Sequence, residues 1–570
     1  TDFVANLSHE LKTPIGAVAA LADSLNGETE TEVVWRLAER IVTESHRMSR
    51  IVDDLLDLSR VEFGGTEEWT DIELATVLVE VVNVLNTYHS TSKSKRYWEI
   101  IVGVWLRMLI ESIATRTIIV QSILEKDSDT RIVGSPNSMS SSASQCLQDF
   151  QANLKSDVWN ADLYARILEV IKGDNSQAVF ISMSAAFNRP QGNKELGPIY
   201  LSSTYLPRFK EVLLAINLRT FPHRIKRIPL PETTIDTKTR KLKLKTPVEG
   251  SEIARVVSSV ALQYIPHSYL EGFSSLLDQN SHEYPDRPPR SIFTANRHLY
   301  DDAFNIWAAE MTEQGSKLVL AQHGGHFGTS RFASFAERHE LSVANRYLTW
   351  GWSSSPKCTE AFVLTQAGVK PRKKSRGANL VVVTDHVWSH PRSFFLDLAE
   401  SGSYLPFMAK IVQSLDPSVT SKTILRIHHG HAETGSPQDV WWESQAPNVK
   451  QDDGKTAFTK MLPDAKLILT SHNGTTFPET ICAGIPTVIA WDESFVLLRA
   501  DAERIFDVLE AVGVFHRTPE SAASFINSIW NDVDGWWNSP ATIDARKQFT
   551  DQYARTVPNP VRFLAKALQF

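Results

Sequence analysis

Two histidines three positions apart, His323 and His326, stand in a glycine-rich turn, Gln322-His-Gly-Gly-His-Phe-Gly328, behind the apolar run Leu318–Ala321. Gly324, Gly325 and Gly328 permit positive φ and close approach of backbone to a ligand. An imidazole in such a turn is suited to take a proton from a hydroxyl, and His323 is the stronger candidate for a general base. His326 shares that role as an alternative, or has its ring satisfied by backbone. A metal pair lacks a third Asp, Glu or His at ligand spacing. A second polar turn, Ser471-His-Asn-Gly-Thr-Thr476, follows the run Lys466–Thr470. Thr475 and Thr476 are good helix-starting residues, and with Asn473 and Gly474 they would seat a phosphate on free N–H groups. Glu479, one turn on, would hold ribose hydroxyls, and Arg426 would offset phosphate charge.

These turns need strands to carry them. β-type runs are read at Ser291–Asn296, Lys317–Ala321 and Arg346–Trp350, and again at Asn379–Thr384, Thr423–His431, Lys466–Thr470 and Pro486–Ala490. Ligands of open α/β sheets lie outside the carboxyl ends of strands. The expected body is therefore α/β, with two Rossmann-like halves facing across a cleft: 85–352, and a nucleotide-binding half, 353–570. Hydrophobic residues at 42% and charged residues at 22% fit a globular chain. A net charge of −7 excludes a general nucleic-acid binder. Three scattered cysteines, Cys146, Cys358 and Cys482, exclude a disulfide framework and suit a reducing compartment. No secretory signal is visible, so a cytoplasmic place is expected, at a membrane if sequence upstream supplies an anchor. The apolar segment Tyr97–Ala114 carries Glu99, Arg107 and Glu111, which predicts a buried or interfacial helix rather than a span. The basic run Lys238–Lys245 reads as solvated. The tryptophan pairs 441–442 and 536–537 are placed in loops and read as core filling, with ligand stacking the alternative.

Residues 1–60 carry two apolar stripes, Phe3, Leu7, Leu11, Ile15, Val18 and Val34, Leu37, Ile41, Met48, broken at Asn26–Gly27. They predict an all-α hairpin over 1–62 that would bury both stripes by dimerising into a four-helix bundle. Its first helix reads Phe3-Val-Ala-Asn-Leu-Ser-His9-Glu10-Leu-Lys-Thr13-Pro14. This resembles the H-box of sensor histidine kinases. The resemblance implies His9 as phosphoacceptor, Glu10 as acceptor of the imidazole proton and Thr13 as positioner of water for dephosphorylation. It continues over 63–84, which looks like the remnant of a kinase ATP-binding domain. The Asn-rich helix and glycine-rich lid of that domain are not found downstream. ATP would then matter only if a partner kinase acts on His9, with a response regulator as the further partner.

Four segments, Lys95–Trp105, Gln322–Gly328, Arg346–Trp352 and Gly474–Trp491, together resemble a family of bacterial transferases of O-antigen and related surface-polysaccharide pathways. Two facing Rossmann-like halves are the plan of GT-B glycosyltransferases. Gln322-His323-Gly324 is also similar to the histidine-glycine element of the glycerophosphotransferases of wall teichoic acid, where a histidine is the base on the acceptor hydroxyl. The resemblance implies a nucleotide-sugar donor, a carbohydrate or lipid-linked acceptor, and no required cofactor or metal. The rival reading is a phosphorelay signalling protein with the α/β body as sensor or output. An accidental fusion of the two parts is the third.

Overall fold

The structure is a computed structural model. It describes residues 66–126, 143–173, 196–220, 228–245, 251–385, 404–430 and 438–569, apart from 231, 333, 373, 375–376 and 493–495, together with 33, 387 and 390. For 66–75 it describes the backbone alone. The hairpin, with His9, Glu10 and Thr13, lies outside the described residues, as do His386 and His431.

The helices that matter for the site are α1 (Thr66–Tyr88), α2 (Lys95–Lys126), α3 (Asp157–Ile171), α4 (Arg208–Leu218), α5 (Glu252–Tyr264), α6 (Asp302–Glu313), α7 (Phe335–Val343), α8 (Tyr404–Gln413), α9 (Thr476–Cys482), α10 (Ala500–Ala511), α11 (Pro519–Ile529), α12 (Pro540–Tyr553) and α13 (Pro560–Leu568). Strands β1 (Tyr200–Leu201), β2 (Ser291–Thr294), β3 (Lys317–Ala321), β4 (Arg346–Thr349) and β5 (Cys358–Glu360) form one parallel sheet in chain order. Its runs are apolar on consecutive residues because helices cover both faces. Ile292, Leu318, Leu320 and Tyr347 point to the core that holds α2 and α6. Their neighbours Phe293, Val319, Ala321 and Leu348 point to a second core with Leu214 and Leu218 of α4 and Leu564 and Leu568 of α13.

The segment expected to be buried or interfacial is α2. It is buried almost all round from Tyr97 to Thr117, as a helix without a polar face must be. Its charges are matched: Arg107 meets Glu99 at 3.5 Å, and Arg338 donates to Glu111 at 2.6 Å. Val77, Leu78, Val81 and Leu85 of α1 belong to the same core, so the stretch expected as a kinase remnant ends as a packed helix of this body.

The second sheet runs β8-β7-β6-β9-β10-β11, all parallel, from β6 (Asn379–Val383), β7 (Thr423–Arg426), β8 (Lys450–Asp452), β9 (Ala465–Thr470), β10 (Thr487–Ala490) and β11 (Phe515–His516). Counted within this half the order is 3-2-1-4-5-6, the doubly wound Rossmann arrangement. Strand order reverses between β6 and β9, and it is outside the carboxyl ends at such a switch point that open α/β sheets bind ligands. Two Rossmann-like halves are thus present. The first sheet runs beyond 352 to include β5, and α13 returns to it from the chain end. Ser291 Oγ donates to the Leu568 carbonyl at 2.8 Å, and Arg346 donates to that of Ala567 at 2.5 Å.

Two local expectations change. Within the basic run Arg240 is fully buried, paired with Glu271 at 2.7 Å and donating to the Ile265 carbonyl at 2.7 Å, while Lys238, Lys241 and Lys245 stay exposed. Its guanidinium can go inside because partners take its protons. The tryptophan pairs are helical rather than in loops, and Trp442 and Trp537 are core residues.

Candidate active site where two turns meet

The turn after β3 is shaped by Gln322. Its buried amide accepts from the Trp350 N–H (2.8 Å) and the Trp352 indole (2.7 Å), and donates to the Gly324 carbonyl at 2.8 Å. Two glycines are required here. Gly328 has φ +78°, and a Cβ on it would fall 2.4 Å from the Trp352 ring. A Cβ on Gly325 would fall 2.0 Å from the Gly474 carbonyl oxygen. The β3 turn of the first half therefore touches the β9 turn of the second, backbone against backbone.

His323, at the mouth of this junction, donates through Nε2 to Glu340 Oε1 of α7 at 2.9 Å. His298, after β2, reaches the same oxygen through its own Nε2 at 2.9 Å. Glu340 is fully buried. Burial would raise its carboxyl, but the facing imidazoles of His323 and His298 outweigh that and hold it down at about 2. A carboxylate on Nε2 fixes the proton there and leaves the lone pair on Nδ1. Tyr205 stands edge-on to His323, ring centroids 6.5 Å apart. Its hydroxyl accepts from Asn296 at 2.7 Å, and its backbone sits in the left-handed region at φ 58°.

His326 faces the other half. Burial, with the neighbouring His323 and His472, pushes its pKa down to about 3, while Glu340 and Asp385 pull the other way. It is a neutral ring at physiological pH. Asp385 follows β6, and its N–H donates to the Tyr404 hydroxyl at 2.7 Å, which bonds Ser471 Oγ at 2.7 Å. The two turns that flank the switch point are tied together by that bridge.

The predicted nucleotide residues part company. Glu479, on α9, accepts from Thr365 at 2.5 Å; burial raises its pKa. Thr475 and Thr476 are half-exposed at the start of α9, and Thr475 makes no side-chain cap bond. Asn473 donates to Thr329 Oγ1 (3.0 Å) and Ser330 Oγ (3.1 Å) of the first half. Arg426 is occupied at the carboxyl end of β7, toward the edge strand β8. It pairs with Asp452 at 2.7 Å and donates to the carbonyls of Gly454 (3.1 Å) and Thr456 (2.7 Å). Among the described residues no three His, Cys, Asp or Glu side chains assemble as a metal site.

Residues 73–568 match the LIC12162 family of transferases. The chain belongs to that family. Residues 1–64 match the His Kinase A phospho-acceptor domain, so this LIC12162-family transferase carries a phosphoacceptor domain ahead of its body. The chain is also similar to the sensor-like histidine kinase SenX3 of Mycobacterium tuberculosis, 42% identical over 86 residues, 14% of this chain and 20% of that protein. It is likewise similar to the sensor protein SphS of Synechococcus elongatus, 36% identical over 86 residues, 15% of this chain and 20% of that protein. The chain spans about a fifth of the length of these relatives. WaaG, described as a glycosyltransferase involved in lipopolysaccharide biosynthesis, matches at TM-score 0.27 and 11% identity over 52% of this chain and 94% of that one. A likeness of that extent bears on neither substrate nor mechanism. No helix among the described residues is long and apolar enough to cross a membrane.

The residues missed in sequence are Glu340, His298 and Tyr205. His298 and Tyr205 follow the carboxyl ends of β2 and β1, a position that marks candidates once strands are placed. Glu340 sits on a helix flank and carries no local signal.

Proposed function

We propose that this transferase moves a sugar from a nucleotide-linked donor to a hydroxyl of a surface-polysaccharide acceptor, on a GT-B plan. One observation carries the reading: a histidine with a buried carboxylate on Nε2 stands in the turn after β3, which meets the turn after β9 at the switch point. The nucleotide is assigned to that switch point, with Thr475, Thr476 and Glu479 beside it. Arg426 and Asn473 already have their polar groups engaged within the protein, so they are left out of donor binding.

In the step we assign, the acceptor hydroxyl gives its proton to His323 Nδ1. Its oxygen forms a bond to the anomeric carbon, and the bond from that carbon to the nucleotide phosphate breaks, the electron pair leaving with the phosphate. Glu340 holds the imidazole in orientation and meets the positive charge that develops on it. Base assistance of this kind is worth about 10²–10⁴-fold. Neutral His326 donates or accepts one hydrogen bond beside it and adds no charge.

The test is calorimetric titration of the full chain with a panel of nucleotides and nucleotide sugars, alongside turnover. His323→Ala should lower turnover by about 10²-fold or more and leave donor affinity within about twofold. Full turnover in a folded His323→Ala protein would remove His323 from the role, and binding to no member of the panel would remove the donor.

A second reading concerns the phosphoacceptor domain, favoured by the match over 1–64. The transferase region begins at 73, which leaves eight residues between the two matches (65–72), too few for an ATP-binding domain. His9 would therefore take phosphate from a separate kinase, with Glu10 and Thr13 beside it, and the domain would pair two copies of the chain.

A further inference from the structure

Most large apolar side chains exposed in this protein stand singly, as Val158, Val440 and Ile543 do, which is ordinary for a surface. On α4 they line up. Phe209 (69% exposed), Val212 (51%) and Ile216 (68%) recur at steps of three and four, so they form one outward stripe, and Leu213 is half-exposed at its edge. The opposite face of the same helix, Leu214, Ala215 and Leu218, is core against the first sheet. α4 is thus apolar on both sides, and among the described residues only one side has a partner.

The charges around the stripe identify its partner. Arg208 and Arg219 are exposed at the two ends of α4, and Lys210 is half-buried on its flank. α13 packs beside α4 and exposes Arg562 and Lys566. Against these five cations the two helices hold one acid, Glu211, which accepts from Thr204 at 2.8 Å. None of the five forms an ion pair among the described residues, in a chain whose net charge is −7. An apolar stripe rimmed by unpaired cations is the chemistry of a helix lying in the plane of an anionic bilayer surface.

We propose that the α4–α13 face docks this protein on an anionic lipid bilayer, with Phe209, Val212 and Ile216 inserted among the acyl chains. Position gives the docking a use. Pro207 caps the start of α4, two residues after Tyr205, which stands edge-on to His323. The loop from β1 thus runs from the cleft directly to the membrane face, and an acceptor on a lipid carrier would reach the cleft along it. That last point rests on the transferase reading; the docking itself does not.

The experiment is flotation of the full-length protein with vesicles of phosphatidylcholine, with and without phosphatidylglycerol, and it needs no donor or activity. The protein should float with the anionic vesicles and be released by salt. Phe209→Ser/Ile216→Ser should weaken binding by about tenfold or more with an unchanged melting curve, since both side chains are already in water. Arg562→Gln/Lys566→Gln should weaken it by about 25-fold, roughly fivefold per charge removed. Wild type that stays soluble with both vesicles overturns the proposal. So does equal flotation of the Phe209→Ser/Ile216→Ser protein. So does light scattering in which that variant dissociates a dimer that floats with no vesicle, which would make the stripe a contact between copies of the chain.

Discussion

Replacing Glu340 with glutamine tests the base at its support. Glutamine keeps the shape of the side chain and removes its charge, so the change falls on what the carboxylate does for His323. Two imidazoles, His323 and His298, share its oxygen and hold the carboxyl down at about 2 against an ordinary 4.5. A hydrogen bond to a charged group is worth about 1.5–3 kcal/mol, or about 10–10²-fold in rate when the charge develops on the base. A second loss adds to this. The amide can present either its oxygen or its NH₂ to Nε2, so the ring is no longer confined to the tautomer that leaves Nδ1 free. Together these predict that kcat falls by about 10–10³-fold while donor affinity stays within about twofold. The assay is release of the nucleoside diphosphate at saturating donor and acceptor, with calorimetry for donor affinity and a thermal melt to verify folding. A folded Glu340→Gln protein whose kcat stays within about twofold of wild type would refute the dyad.

The remaining predictions concern stability and the donor site. His326 is held at about 3 against 6.5 by burial and by His323 and His472, so between those values the unfolded chain binds a proton that the folded protein does not. Its share of stability is therefore complete above pH 6.5 and declines as pH falls toward 3. Denaturant unfolding at about pH 7.5 and 5.5 should differ by about 1 kcal/mol more in wild type than in His326→Asn, and an equal difference would contradict the burial of a neutral ring. Arg426→Ala should lower stability by about 1–3 kcal/mol, because Asp452 and two carbonyls lose their donor, and should leave donor affinity unchanged. A stable Arg426→Ala protein that binds donor weakly would return Arg426 to phosphate.

Strands buried on both faces were the most legible part of the sequence. Lys317–Ala321 is a strand over the expected residues, and Asn379–Val383 and Ala465–Thr470 differ from expectation by a residue at an end. Their consecutive β-branched and aliphatic residues are what a two-sided core demands. Edge strands were not legible. Cys358–Glu360 and Lys450–Asp452 are three residues each, with polar or exposed side chains, and only pairing with a longer neighbour makes them strands. The reversal of order at β6 and β9 is likewise a property of pairing, and it is what places the switch point.

The site divides along the same line. His323 and His326 were visible because glycine, histidine and a strand end coincide within seven residues, Gln322–Gly328. Arg426 looked equally chemical, a charge inside an apolar run, yet Asp452 at the end of the adjacent strand β8 neutralises it. What separates the two is the partner, and partners come from elements far apart in the chain: Glu340 lies 17 residues from His323 and 42 from His298. A histidine becomes a base through the group on its far nitrogen, so no local pattern around His323 distinguishes it from a satisfied core histidine. His339, next to Glu340 in sequence, makes the point from the other side. It is fully buried against Gly103, with burial and the neighbouring His298 and Arg107 holding its pKa down. It packs as a core ring, whereas His323 has the Glu340 carboxylate on its Nε2.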